Sequence, residues 1–124
     1  MLDVELDKEA RLAIVTPETA LSEQDFSVIA GVIDPYLKEH GALIGLIICT
    51  KDFPGWESFA AMLKHFQFVR SHHQKLSHVA LVTDSMIGDL AEKVAGHFIS
   101  AQVKHFRYGQ LAEARRWIQE AEAD

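Results

Sequence analysis

The side chains best able to do chemistry in this 124-residue chain are seven histidines, a single cysteine, and two short polar segments, Lys51–Asp52 and Asp84–Ser85. His65, His72, His73 and His78 lie close in sequence, as a metal site or a general base would require. Their spacing argues against both: there is no HExxH run and no pair of histidines four apart on one helix. His72 and His73 also fall at the carboxyl end of a predicted helix, where positive charge is favourable without any function. Cys49 is a nucleophile only if a neighbouring base lowers its pKa, and within so apolar a run it reads as a small packed side chain. Asp84 and Ser85 stand where a helix N-cap belongs, which accounts for both. No GxSxG, GxGxxG or phosphate-loop pattern occurs, so hydrolase and nucleotide chemistry have no carrier. The expectation is a protein with no catalytic residue, no metal and no cofactor.

These residues hang on one stretch, Ala42 to Ala61. Leu43, Ile44, Leu46, Ile47 and Ile48 form an apolar run without charge, the composition of a central strand covered on both faces. The loop Lys51–Gly55 follows, and a helix is predicted to start at about Gly55. Before this unit, Leu2, Val4 and Leu6 alternate with Asp3, Glu5 and Asp7, as in an edge strand with one wet face. A short connection to a second strand over Arg11–Thr16 makes an antiparallel hairpin that Pro17 ends. Ser22, with Asp25 three residues on, caps a helix over Glu23–His40 that buries Phe26, Ile29, Ile33 and Leu37. Pro35 predicts a kink or break in that helix, and Gly41 closes it. Trp56, Phe59, Ala60, Leu63 and Phe66 form the predicted core stripe of the second helix, with Met62, Phe68 and Val69 as an apolar surplus that a neighbouring helix, a dimer partner or a ligand must cover. A strand over Val79–Thr83, a helix through Ile87, Leu90, Ala91 and Val94, a strand over Gln102–Arg107 and a helix from Leu111 complete the order ββαβαβαβα. The fold class is α/β: a mixed, mostly parallel sheet with an antiparallel hairpin strand at its edge, in one domain spanning residues 1–124.

Composition narrows the partners. With 48% hydrophobic and 24% charged residues the chain is an ordinary globular domain. Its net charge of −6 speaks against nucleic acid, which requires a basic surface. All of that excess lies in residues 1–40; the remainder is balanced. The first apolar stretch is interrupted by charges, so neither a signal-peptide core nor a spanning segment is expected, and a cytoplasmic location follows.

Parallel strands deliver the loops Pro17–Leu21, Lys51–Gly55 and Asp84–Ser85 to one sheet edge, where α/β folds gather ligands. An apolar pocket lined by Phe26, Ile29, Phe53, Trp56, Phe59 and Met62, with Lys51, Asp52, Asp84 and Ser85 at its mouth, has the composition of a small-ligand site. The same aromatics serve equally as plain core, with the polar residues as caps and solvated loop. Lys51, Lys64, Arg70 and Lys75 outnumber Asp52 and Glu57 around the second helix, a pattern suited either to a solvated face or to weak peripheral contact with an anionic membrane.

The segments DFPGW (Asp52–Trp56), HVALVTDS (His78–Ser85), VKHF (Val103–Phe106) and LAEARRWI (Leu111–Ile118), in this order, resemble the SpoIIAA-like family, a branch of the STAS superfamily. The resemblance implies a STAS-like sheet, a homodimer, and a likeness to lipid-binding CRAL-TRIO domains. The sporulation members act as partner-binding switches phosphorylated on a serine after a central strand. Here that loop reads Thr50 to Gly55 with no Asp-Ser motif, Thr50 and Ser58 being the nearest hydroxyls. The function expected is a non-enzymatic binding module holding a small apolar or amphipathic, lipid-like ligand between the first two helices. The alternative is a protein-interaction regulator of the anti-sigma factor antagonist type, acting on a regulatory protein partner.

Overall fold

The computed structural model describes residues 2–85 and 101–123. Strands β1 (Leu2–Asp7) and β2 (Leu12–Pro17) form the antiparallel hairpin. Then come helix α1 (Glu23–His40), strand β3 (Leu43–Cys49), helix α2 (Phe59–His72), strands β4 (Leu76–Val82) and β5 (Gln102–Phe106), and helix α3 (Leu111–Ala123). The five strands lie in the order β1-β2-β3-β4-β5, and every pair after the first is parallel. The expected mixed sheet with a hairpin edge is therefore present. The helix expected through Ile87, Leu90, Ala91 and Val94 lies outside the described residues.

β3 is buried from both sides, and alternation along it divides the core in two. Leu43 and Leu46 pack with Phe26, Ile29, Ile33, Tyr36 and Leu37 of α1, while Ile47 and Cys49 pack with Ala114 and Ile118 of α3. Gly45 belongs to the second face. A Cβ there would stand 2.6 Å from both Cδ1 and Cγ2 of Ile118, so the missing side chain is what lets α3 lie against the strand. Arg115 anchors the same helix to the hairpin by donating from Nη2 to Asp7 Oδ2 at 2.8 Å.

α1 is capped as its sequence requires. The Asp25 amide donates to Ser22 Oγ, the Ser22 amide donates to Asp25 Oδ2, and Gly41 ends the helix at φ 83° with its amide on the Leu37 carbonyl. The break expected at Pro35 does not occur, and one helix runs through it. Gly31 and Pro35 are both on the exposed side, so water can serve the carbonyl that proline leaves without a donor, while buried Tyr36 and Leu37 hold the next turn in place.

Three further expectations are corrected. α2 begins at Phe59 rather than Gly55, because Gly55 takes φ 79°, outside the helical region, and Ser58 accepts the Ala61 amide as the true cap. Trp56 instead lies in an isolated parallel bridge to Leu21, fixed by Leu21 N–H to Gly55 O at 2.8 Å and Glu57 N–H to Leu21 O at 2.7 Å. β4 starts at Leu76, where it pairs with Leu43, three residues before the expected Val79. Most consequentially, the stripe assigned to the core of α2 faces out: Phe59 is 71%, Phe66 53% and Leu63 44% exposed.

Gly45→Ala should overpack the β3–α3 contact and lower stability by about 1–3 kcal/mol. Urea unfolding would show this as a reduced midpoint at unchanged slope; an unchanged midpoint would mean that α3 does not press on β3.

Candidate functional site

The β3–α2 loop is held at the edge where the parallel strands end. The Lys51 carbonyl accepts both the Asp84 amide at 2.9 Å and the Thr83 hydroxyl at 3.0 Å, and the Thr50 amide donates to the Val82 carbonyl. Thr83, 5% exposed, also receives the Ser85 amide on its hydroxyl. Asp84 Oδ1 accepts the Tyr108 amide at 3.0 Å, so this carboxylate ties two loops together. The three loops expected at one edge are thus joined: Leu21 to Gly55, and Lys51 to Thr83 and Asp84.

From this loop a run of rings enters the seam between α1 and α2. Phe53 meets Trp56 edge-on at 5.1 Å, and Trp56 Nε1 donates to His65 Nδ1 at 3.1 Å. His65 stacks on Phe26 at 5.0 Å, Phe26 touches Phe68, and Phe68 stacks on His72 at 4.1 Å. His72 ends the seam, with Nε2 2.7 Å from Asp34 Oδ1 on α1 and Nδ1 2.9 Å from the Phe68 carbonyl. Indole N–H is only a donor, so His65 must present a bare Nδ1 and carry its hydrogen on Nε2. Burial among these rings pulls the His65 pKa down to about 4.

The residues singled out in the sequence divide accordingly. Phe26 and Ile29 are core at 3% and 5% exposure, and Phe53, Trp56 and Met62 are partly buried. Phe59 stands on the far side of α2 from Phe26, while Lys51, Asp52 and Asp84 are exposed and Ser85 is partly buried. Rings fill the α1–α2 seam. A shallow surface depression lined by Ala30, Gly31, Asp34, Pro35 and Lys38 lies elsewhere, on α1.

The histidines disperse: His65 and His72 enter the seam, whereas His78 meets Trp117 on the opposite face of the sheet. Among the described residues no three His, Cys, Asp or Glu side chains converge on a point that could hold a metal. Cys49 is buried, and desolvation pushes its thiol pKa up, away from the thiolate a nucleophile needs.

Sequence reasoning missed His65 as the polar centre of the seam, and it missed the surface on the other side of α2. There Phe59, Leu63 and Phe66 stand clear, flanked by exposed Lys64 and Arg70. Phe66 also touches the Trp56 ring at 6.1 Å, so the loop aromatics and the outward face of α2 form one ridge. The signal available was a spacing: Ala61, His65, Phe68 and His72 form a second stripe with the same intervals as Phe59, Leu63, Phe66 and Arg70.

Comparison with known proteins gives a consistent picture. The SpoIIAA-like family model matches residues 12–119. An uncharacterised protein of Shewanella loihica with a SpoIIAA-like fold superposes with a TM-score of 0.70 at 17% identity, over 95% of this chain and 92% of that one. At such identity the likeness is one of fold. No curated protein matches the chain.

A histidine whose folded pKa lies below its unfolded value of about 6.5 binds its proton more readily in the unfolded chain. Its contribution to stability is therefore full above pH 6.5, declines as the pH falls toward 4, and is lost below that. For His65 the loss is on the order of 3 kcal/mol. Stability measured by urea from pH 7 to pH 4 should fall accordingly in the parent and less steeply in His65→Gln. Parallel pH profiles would show that His65 is not the buried neutral group described.

Proposed function

The chain belongs to the SpoIIAA-like family, and from that footing we propose that it is a non-enzymatic binding module whose binding surface is the aromatic ridge of α2 and the β3–α2 loop. The ligand is amphipathic and lipid-like. Its apolar part lies on Phe59, Leu63 and Phe66, with Phe53 and Trp56 continuing the ridge, and its acidic head meets Lys64 or Lys51. One observation carries this reading: three large apolar side chains stand exposed on one helix face in a chain with ample core to bury them. Scattered exposed apolar residues need no explanation, but an aligned group beside cations is the form of an interfacial helix.

This reading sets the site on the outer face of α2 rather than between α1 and α2. A ligand between α1 and α2 would have to displace the Phe26–His65 stack and break the Trp56–His65 hydrogen bond, whereas the ridge requires no such rearrangement. Contact with a bilayer surface would use the same side chains, and anionic headgroups would suit a face locally positive in a net negative protein. No helix among the described residues is long and apolar enough to cross a membrane.

Each phenylalanine moved from water into an acyl environment contributes roughly 1.5–3 kcal/mol. The double variant Phe59→Ser, Phe66→Ser should keep its fold, since both side chains are exposed, and lose at least about tenfold in binding to phosphatidylglycerol-containing vesicles by co-sedimentation. Equal sedimentation of parent and variant, or none for the parent, would overturn the proposal.

A further inference from the structure

We propose that the Trp56–His65 contact is an acid-released latch: a proton on His65 expels the Trp56 indole from the seam, while His72 keeps α2 on α1. Its consequence for binding rests on reading the outer face of α2 as the lipid surface, which the released indole extends. The two histidines hold the seam by bonds that respond oppositely to a proton. Indole N–H can only donate, so a proton on His65 Nδ1 sets one N–H against another and breaks the 3.1 Å bond. At His72 both ring nitrogens face acceptors, the Phe68 carbonyl at 2.9 Å and Asp34 Oδ1 at 2.7 Å. A proton added there supplies a donor and tightens the hold on α1.

The surroundings of His65 leave the proton to this one contact. Phe26 from α1, Trp56 from the loop and Phe66 from α2 itself are uncharged rings. On α1, Asp25 is engaged at the helix cap and Asp34 at His72, while Lys51, Asp52 and Glu57 of the loop and Lys64 of α2 are exposed. Among the described residues no carboxylate pairs with His65. In the closed seam burial pulls the His65 pKa down to about 4, whereas a ring opened to water takes its proton near the ordinary value of about 6.5. The released form therefore gains on the closed one as the pH falls through that interval.

The motion is confined. The bonds Leu21 N–H to Gly55 O and Glu57 N–H to Leu21 O hold the backbone on either side of Trp56, so it is the indole that leaves, and its departure opens His65 Nδ1 to water. Trp56 already touches Phe66 at 6.1 Å and Phe53 at 5.1 Å, so an outward indole joins the exposed ridge. An anionic bilayer concentrates protons at its surface roughly threefold or more, which favours the released form where the ridge meets lipid.

Trp117→Phe leaves Trp56 as the sole tryptophan of the full chain, whose emission and quenching by acrylamide are then followed from pH 7 to pH 4 beside far-UV circular dichroism. Emission should shift to the red and quenching rise several-fold while the helical signal holds. Adding His65→Gln, whose side-chain oxygen accepts the indole N–H and takes up no proton, should keep Trp56 shielded throughout. Co-sedimentation with phosphatidylglycerol-containing vesicles should rise about tenfold more over this range in the parent than in His65→Gln, a comparison that cancels the titration of the carboxylates. A Trp56 equally shielded at both ends of the range overturns the inference. So does exposure that His65→Gln shares, or exposure that tracks a loss of helix. If Trp56 is released yet vesicles are ignored at every pH, the lipid reading fails and the latch stands; if vesicles bind while Trp56 stays shielded, the reverse holds.

Discussion

Everything in this fold follows from the need to cover β3 on both faces. A charge-free strand of Leu, Ile and Cys cannot sit at an edge, so β2 and β4 must flank it and helices must close over each side. α1 does most of this on one face, with five buried side chains, and α3 does it on the other, where the absent side chain of Gly45 admits Ile118. Once these helices are in place the parallel strands point their carboxyl ends one way, and the Lys51 carbonyl, accepting from Thr83 and Asp84, clips the β3–α2 loop to that edge.

α2 is attached differently. Ala61 is its fully buried residue, and its remaining hold on α1 runs through His65, Phe68 and His72: a stack on Phe26, a hydrogen bond from Trp56 and a pairing with Asp34. Aromatic and polar contacts thus take the inward side, and the aliphatic and aromatic bulk of the helix is left outward. A helix bound to its own domain by specific contacts, with its more apolar face free, is well placed to bind something else without unfolding the domain. The exposed apolar face and the lightness of the α2 attachment are therefore consequences of one arrangement.

Most of the architecture was legible in the residues. The alternation of Leu2, Val4 and Leu6, the Ser22–Asp25 capping box and the apolar run of β3 each specify one local structure, and each element appears where expected. The orientation of α2 was not legible, because Ala61-His65-Phe68-His72 and Phe59-Leu63-Phe66-Arg70 are stripes of the same period on opposite sides of one helix. Hydrophobicity alone favours the second for the core. What overrides it is tertiary: Asp34, 38 residues before His72, and Phe26, on the same distant helix and stacked on His65, offer partners that only the histidine stripe can use. The start of α2 was misplaced for a local reason, since Pro54 and Gly55 were taken as the approach to a helix when the left-handed backbone of Gly55 commits the chain to a bridge with Leu21.

The most direct measurement is solvent paramagnetic relaxation of side-chain methyl signals at the lowest workable protein concentration, comparing Ala60 and Leu63 with Ala61. The account predicts strong broadening at Ala60 and Leu63 and protection at Ala61, with the contrast shrinking once vesicles cover the outer face. Protection of Leu63 in the dilute, lipid-free protein, with Ala61 broadened, would show that α2 packs by its apolar stripe and would contradict the central claim.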